Sequence, residues 1–141
     1  AILNRRVPTA LDRYRVWHIR QPLDPVSMAS GALLLLGERD FAAFKSPGDE
    51  TTTIRKLRTL DIEREGERIL LHFEANGFLK HMVRNITGAL VEIGLGKMTH
   101  RELEGLLERG SREGAPRKAP PQGLTLMEVF YAEVDAGCRK A

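Results

Sequence analysis

The sequence predicts one α+β domain over residues 1–141, with helices packed on one face of a mixed or antiparallel sheet. Three observations predict it. At 141 residues the chain is long enough for one real core. Residues 25–36 and 78–93 carry apolar side chains at helical spacing, whereas residues 69–75 alternate between apolar and polar, as a strand does. The strand candidates also cluster behind short connections, which favours helices gathered on one side over a repeating strand–helix pattern. The expected order is helix, strand, strand, helix, helix, strand.

Ala1-Ile2-Leu3-Asn4 has the composition of a strand end with no cap or leader before it, so the chain is expected to be a fragment. Residues 7–17 show no clear period and suggest an arm or short strand. Asp24 can cap a helix whose first position is Pro25. Val26, Ala29, Leu33 and Leu36 follow as its apolar stripe, and Gly37 is a natural stop. Residues 38–50 read as a loop containing Phe41, Phe44 and Lys45. A hairpin follows: one strand over about 54–63, a turn at Glu65-Gly66, and a second strand. In the second strand Ile69, Leu71, Phe73 and Ala75 share one face. The first strand changes phase between Leu57 and Leu60, which suggests a bulge.

The helix over 78–93 has Met82, Ile86, Leu90 and Ile93 as its apolar stripe, with His81, Arg84, Asn85 and Gly88 on another. Thr99 and Glu102 form a capping box ahead of Leu103, Leu106 and Leu107, and Gly110 closes that helix. Residues 111–123 form a loop rich in Gly, Pro and Arg. Residues 124–131 are apolar on both faces apart from Glu128, as an interior strand would be.

The net charge of +3 is mildly basic. Arg5, Arg6, Arg13, Arg15 and Arg20 crowd the start, and Arg109, Arg112, Arg117 and Lys118 form a second stretch. A phosphate backbone would be drawn to either, and a solvated surface explains either equally well. The single cysteine, Cys138, excludes an internal disulfide, and no Cys/His cluster has zinc spacing. A reducing compartment is expected. The longest apolar run, residues 31–37, is far too short to span a bilayer, and no signal peptide is expected.

Two segments could carry chemistry. Residues 78–86 place Lys80, His81, Arg84 and Asn85 on an otherwise apolar helix, which is either a wet face or a site. Gly77 lets another backbone come close before it, and Gly88 leaves a bare patch for a partner. Residues 120–126 read first as a loop entering a strand.

At these segments a resemblance becomes specific. Phe78-Leu79-Lys80-His81-Met82-Val83-Arg84-Asn85-Ile86 resembles the third motif of the TruA family of tRNA pseudouridine synthases. Gly123-Leu124-Thr125-Leu126 with Val129 and Tyr131 resembles its closing strand. Residues 37–44 resemble its Gly-x-x-Asp-Phe-x-x-Phe stretch, and Thr52 with Arg55 its Thr-x-x-Arg. Trp17, Leu23 and Asp24 also fall in place.

The resemblance covers nearly the whole chain. It implies the C-terminal, ferredoxin-like half of an enzyme that isomerises uridine to pseudouridine in the anticodon arm of tRNA. The half with the catalytic aspartate would be absent, and the isolated chain inactive. Arg58-Thr59-Leu60-Asp61 is not the missing Arg-Thr-Asp motif, because it has one residue too many and lies in a strand. By resemblance Arg84 is the ion-pair partner of that aspartate. Met82, Leu124 and Leu126 are candidates to line the cleft, although core roles are as plausible for them. Lys45, Arg55, Lys80 and His81 are candidates for RNA contact, and Asn85 for support of the helix. His18, His72 and His100 read as surface residues. The implied partners are tRNA, the preceding half and a second copy in a homodimer, in the cytoplasm, away from any membrane, with no cofactor or metal. A stand-alone RNA-binding module or a dimerisation domain would share many of these features.

Overall fold

The computed structural model describes residues 1–5, 16–47, 52–125, 129–131 and 138–140, the last two stretches as backbone path. Five strands build one mixed sheet: β1 (Ile2–Asn4), β2 (Trp17–Ile19), β3 (Gly37–Asp40), β4 (Ile54–Glu65) and β5 (Arg68–Ala75). Their spatial order is β2-β1-β5-β4-β3. β1 runs parallel to β2, and the other pairings are antiparallel. Three helices, α1 (Pro25–Leu33), α2 (Met82–Gly94) and α3 (His100–Arg109), share one core with the sheet. The α+β architecture is as the sequence predicts; β1 falls on the segment read as a strand end, β2 begins at the end of the segment read as an arm or short strand, and β3 lies where a loop is expected.

The hairpin follows its local chemistry. Gly66 takes φ +60 in the turn, and the β4–β5 register shifts between Leu57 and Thr59, where the sequence changes phase. Ile69 and Ala75 are buried on the expected face. The Thr99–Glu102 capping box is formed in both directions, and Gly110 ends α3 at φ +68.

α1 starts as predicted, with Asp24 Oδ1 accepting from the Val26 and Ser27 amides. Its buried face is not the predicted one. Met28, Gly31 and Ala32 face the core with Leu35 behind them, while Val26 and Leu33 are 73% and 67% exposed. The reason is a close crossing with α2. A Cβ on Gly31 would lie 2.9 Å from Ile93 Cδ1, and one on Gly94 would lie 2.8 Å from Met28 Sδ. Small residues bring the two helices together, so the glycines define the contact face.

The loop expected at 38–50 begins instead with β3, an edge strand whose exposed Glu38, Arg39 and Asp40 conceal it from an apolar pattern. Phe41 and Phe44 follow at zero exposure, edge to face with ring centroids 6.3 Å apart. Met82, a candidate for lining a cleft, is also at zero exposure inside the core, because it opens the apolar stripe of α2. The final strand differs too. Leu124 and Thr125 are exposed, and β6 (Val129–Tyr131) pairs with β7 (Cys138–Lys140) in a separate two-stranded sheet. Leu126, Arg6, Arg13 and Arg15 lie outside the described residues. Among the described residues no helix is long and apolar enough to cross a membrane.

Asn4 closes the β1–β2 end of the sheet. Its Nδ2 donates to the Ile19 and Gln21 carbonyls at 3.1 and 2.7 Å, and its Oδ1 accepts from the Leu23 amide at 3.1 Å. At 6% exposure these groups have little access to water. Replacing Asn4 by Ala strands at least one amide and one carbonyl, at about 1–3 kcal/mol for each buried group left unpaired. Urea unfolding of Asn4→Ala is expected to show a loss of about 2 kcal/mol, with an unchanged denaturant slope. A loss within error would show that the site refills with water.

Candidate active site

α2 begins at Met82 rather than at residue 78, because His81 takes φ +60 and breaks the chain direction just before it. Among the described residues His81 is the one non-glycine with positive φ. The break leaves Leu79 in the core and puts Arg84 in the first turn of α2. Asn85 is buried and donates to the Phe44 carbonyl at 2.8 Å, so it ties α2 to the segment after β3. This is the supporting role expected of it.

Gly88 is not a bare patch for a partner. The chain's own segment 117–119 covers it, and a Cβ there would lie 2.1 Å from the Arg117 carbonyl oxygen. This close approach allows a reciprocal pair of bonds. The Ala119 amide donates to the Arg84 carbonyl at 2.9 Å, and Arg84 Nε donates to the Ala119 carbonyl at 2.8 Å. The strap is held at both ends. Arg112 donates to the Ala43 and Pro116 carbonyls, and the N-terminal ammonium of Ala1 donates to Gly123 O at 2.7 Å. Arg112 therefore serves the fold rather than the surface. Gly77, by contrast, has ordinary contact with Arg55 and no close approach.

Beside this strap lies a cleft of about 300 Å³. Its walls come from β1, β2, β5, α2 and the strap, among them Ile2, Trp17, Phe73, Val83, Arg84, Thr87 and Leu124. None of the described lining residues is Asp or Glu. Among the described residues no carboxylate pairs with Arg84, and its two terminal amino groups have no hydrogen-bond partner there. A fixed guanidinium in a mostly apolar cleft is suited to hold a carboxylate or phosphate in a two-pronged grip. Leu124 lines the cleft as predicted; Met82 does not.

The candidate RNA contacts divide. Lys80 and His81 stand together, with Ser46 Oγ 2.9 Å from His81 Nδ1 and the Ser46 amide bonded to the Lys80 carbonyl. Lys45 is the neighbour of Ser46 in the chain. Arg55 donates to the Thr52 and Ile54 carbonyls and so spends an amino group on its own strand. Lys118 Nζ, 3.1 Å from His81 Nδ1, joins the group unannounced by any spacing. Burial first, then the charges of Lys118, Arg84 and Lys80, hold the His81 pKa below its ordinary value, so the ring is neutral at pH 7. His72 is a surface residue paired with Glu63, and His100 is exposed, whereas His18 is half-buried against the Arg5 carbonyl. Among the described residues no group of three His, Cys, Asp or Glu side chains could hold a metal ion.

Residues 32–132 match the family model described as tRNA pseudouridine synthase. The chain belongs to this family. It is 43% identical over 92% of its length to the tRNA pseudouridine synthase A of Bartonella henselae, and 40% identical over 92% to tRNA pseudouridine synthase A 2 of Clostridium perfringens. The corresponding protein of Geotalea uraniireducens is 43% identical over 90%. The chain spans about half the length of these relatives, 53%, 54% and 52% respectively. Residues 58–61 lie within β4, and Asp61 is exposed and absent from the cleft wall.

Gly88→Ala tests the strap. The obstacle is backbone, so the strap must move, at an expected cost of about 1–3 kcal/mol. Hydrogen exchange of the Ala119 amide should quicken more than that of amides in the middle of α3. Unchanged protection at Ala119 would mean that Gly88 does not set the strap.

Proposed function

We propose that this chain is the C-terminal half of a tRNA pseudouridine synthase that isomerises uridine to pseudouridine in the anticodon arm of tRNA. The observation that carries the reading is Arg84: a guanidinium aimed by the Ala119 carbonyl in a largely apolar cleft with no acid among its described lining residues. In the reaction the N1–C1′ bond of uridine breaks and a C5–C1′ bond forms. The C5 hydrogen leaves as a proton and N1 gains one, so the product is an isomer. The aspartate that drives this step belongs to the preceding half. Arg84 Nε is already engaged, so the two terminal amino groups form the fork that receives the carboxylate. The positive charge keeps that carboxylate ionised, and the apolar wall strengthens the pair.

The target base must leave its stack to reach such a site. A cleft of about 300 Å³ is at the small end of ligand sites and suits a single base. Leu124, 51% exposed at its rim, is placed to pack against that base once the other half closes over it. The same reading makes the full protein a cytoplasmic homodimer. Exposed Val26 and Leu33 give α1 an apolar outer face that a second copy can cover.

Tritium release from tRNA labelled at uridine C5 tests the proposal. The chain alone is expected to release none, and the chain joined to its preceding half to release it catalytically. In the joined protein Arg84→Ala should lower kcat by about a hundredfold or more, since it leaves a buried carboxylate unpaired. Arg84→Lys should recover part of the loss, keeping the charge without the fork. Release by the chain alone would sink the proposal, as would full activity in Arg84→Ala.

A further inference from the structure

Ser46, His81 and Lys118 form a node that the proposed reaction leaves unused. Lys118 Nζ and Ser46 Oγ lie 3.1 and 2.9 Å from the same atom, His81 Nδ1. An ammonium can only donate, so Nδ1 accepts and the ring proton sits on Nε2. One lone pair thus faces two donors, and it cannot satisfy both. Lys118 has three N–H groups, and this imidazole nitrogen is its partner among the described residues. The carboxylates in ion pairs there belong to Glu67, Glu74 and Glu63, which serve Arg5, Arg58 and His72. Lys80 adjoins the node, and Arg84 stands one turn further along α2. Lys118 and Arg84 have no carboxylate partner among the described residues. The backbone also holds His81 in a left-handed conformation that a non-glycine residue adopts at a cost.

We propose that Lys118 and Ser46, positioned by His81 Nδ1, bind one backbone phosphate of the RNA strand that feeds the cleft. The inference rests on the reading above that the chain acts on RNA. A phosphate oxygen accepts from the Lys118 ammonium, which exchanges the imidazole for a charged partner. The Ser46 hydroxyl, on the same side of the ring, supplies a second donor, and His81 Nδ1 holds both donors in place. Lys118 precedes Ala119, whose carbonyl aims Arg84. The phosphate is therefore gripped one residue from the anchor of the catalytic arginine, and the strap sets the register between backbone and base.

The test measures binding of an anticodon-arm RNA hairpin by fluorescence anisotropy at several salt concentrations, with the unmodified chain, Lys118→Gln and Lys97→Gln. Lys97, exposed after α2, is the control. Lys118→Gln is expected to weaken binding roughly three- to tenfold and to reduce the salt slope by about 0.7–1, as the loss of one phosphate contact does. Lys97→Gln should change either quantity little. In the unmodified chain, the imidazole nitrogen resonances of His81 should report the Nε2–H tautomer and move on addition of the hairpin. Equal affinity and slope for Lys118→Gln and the unmodified chain would overturn the site, as would a His81 signal unmoved at saturation. Should the joined protein release tritium while Lys118→Gln binds normally, the phosphate site fails and the synthase reading stands. A Lys118-dependent salt slope without tritium release leaves the site standing and sinks the synthase reading.

Discussion

The reciprocal pair of bonds between Arg84 and Ala119 is the constraint on which the rest of the site depends. It joins a helix to a strap with little regular structure of its own, and it does so at one residue. The amide–carbonyl bond fixes the distance, and the Nε–carbonyl bond fixes the direction of the guanidinium. Both exist because residue 88 lacks a side chain, which lets the Arg117 carbonyl approach the helix. A flexible side chain such as arginine would otherwise lose rotamer freedom on meeting a carboxylate. Here part of that entropy is already spent in the fold, so the fork is arranged before its partner arrives.

The left-handed residue at the start of α2 has a parallel effect. Had the helix begun near residue 78, Arg84 would stand two turns in. The break at His81 sets the helix start at Met82 and lets Leu79 enter the core. It also frees the Lys80 carbonyl to accept from Ser46 rather than from the helix. The segment after β3 is thus fastened to α2 at two points, Ser46 to Lys80 and Asn85 to Phe44. Buried Phe41 and Phe44 beneath it supply the apolar anchor. Cationic side chains can gather above this junction because packing below it has already fixed the backbone.

What the sequence discloses and what it hides divide along a physical line. Features set by neighbours along the chain were legible: the alternation of β5, the bulge in β4, the capping box of α3 and the αL glycine that ends it. Features set by contact across the chain were not. The buried face of α1 is chosen by Gly31 and Gly94, which carry no apolar signal. β3 has a polar edge-strand sequence and is a strand because β4 pairs with it. Met82 and Leu124 are both apolar residues within resembling motifs, yet one is in the core and the other at the cleft rim. In the candidate site, Arg84 was legible through its motif. The Ala119 carbonyl was not, since a backbone atom leaves no trace in composition. Lys118 showed only as a member of a basic stretch.

The charge balance of the cleft bears on why a half such as this can hold its shape. A guanidinium fully buried without a partner would be costly, whereas Arg84 is half-buried, and the Ala119 carbonyl accepts from its Nε. The group is thus partly desolvated and partly bonded, which lowers the further cost of enclosing it with a carboxylate. A buried ion pair is net favourable when its geometry is good and its remaining donors are satisfied. The strap meets the first condition through Nε, and a two-pronged carboxylate would meet the second. The proposed partnership therefore asks little rearrangement of this chain. In that proposed pairing the energetic burden would fall on the aspartate, which would lose hydration in an apolar cleft and gain the charge-assisted bonds of Arg84 in exchange.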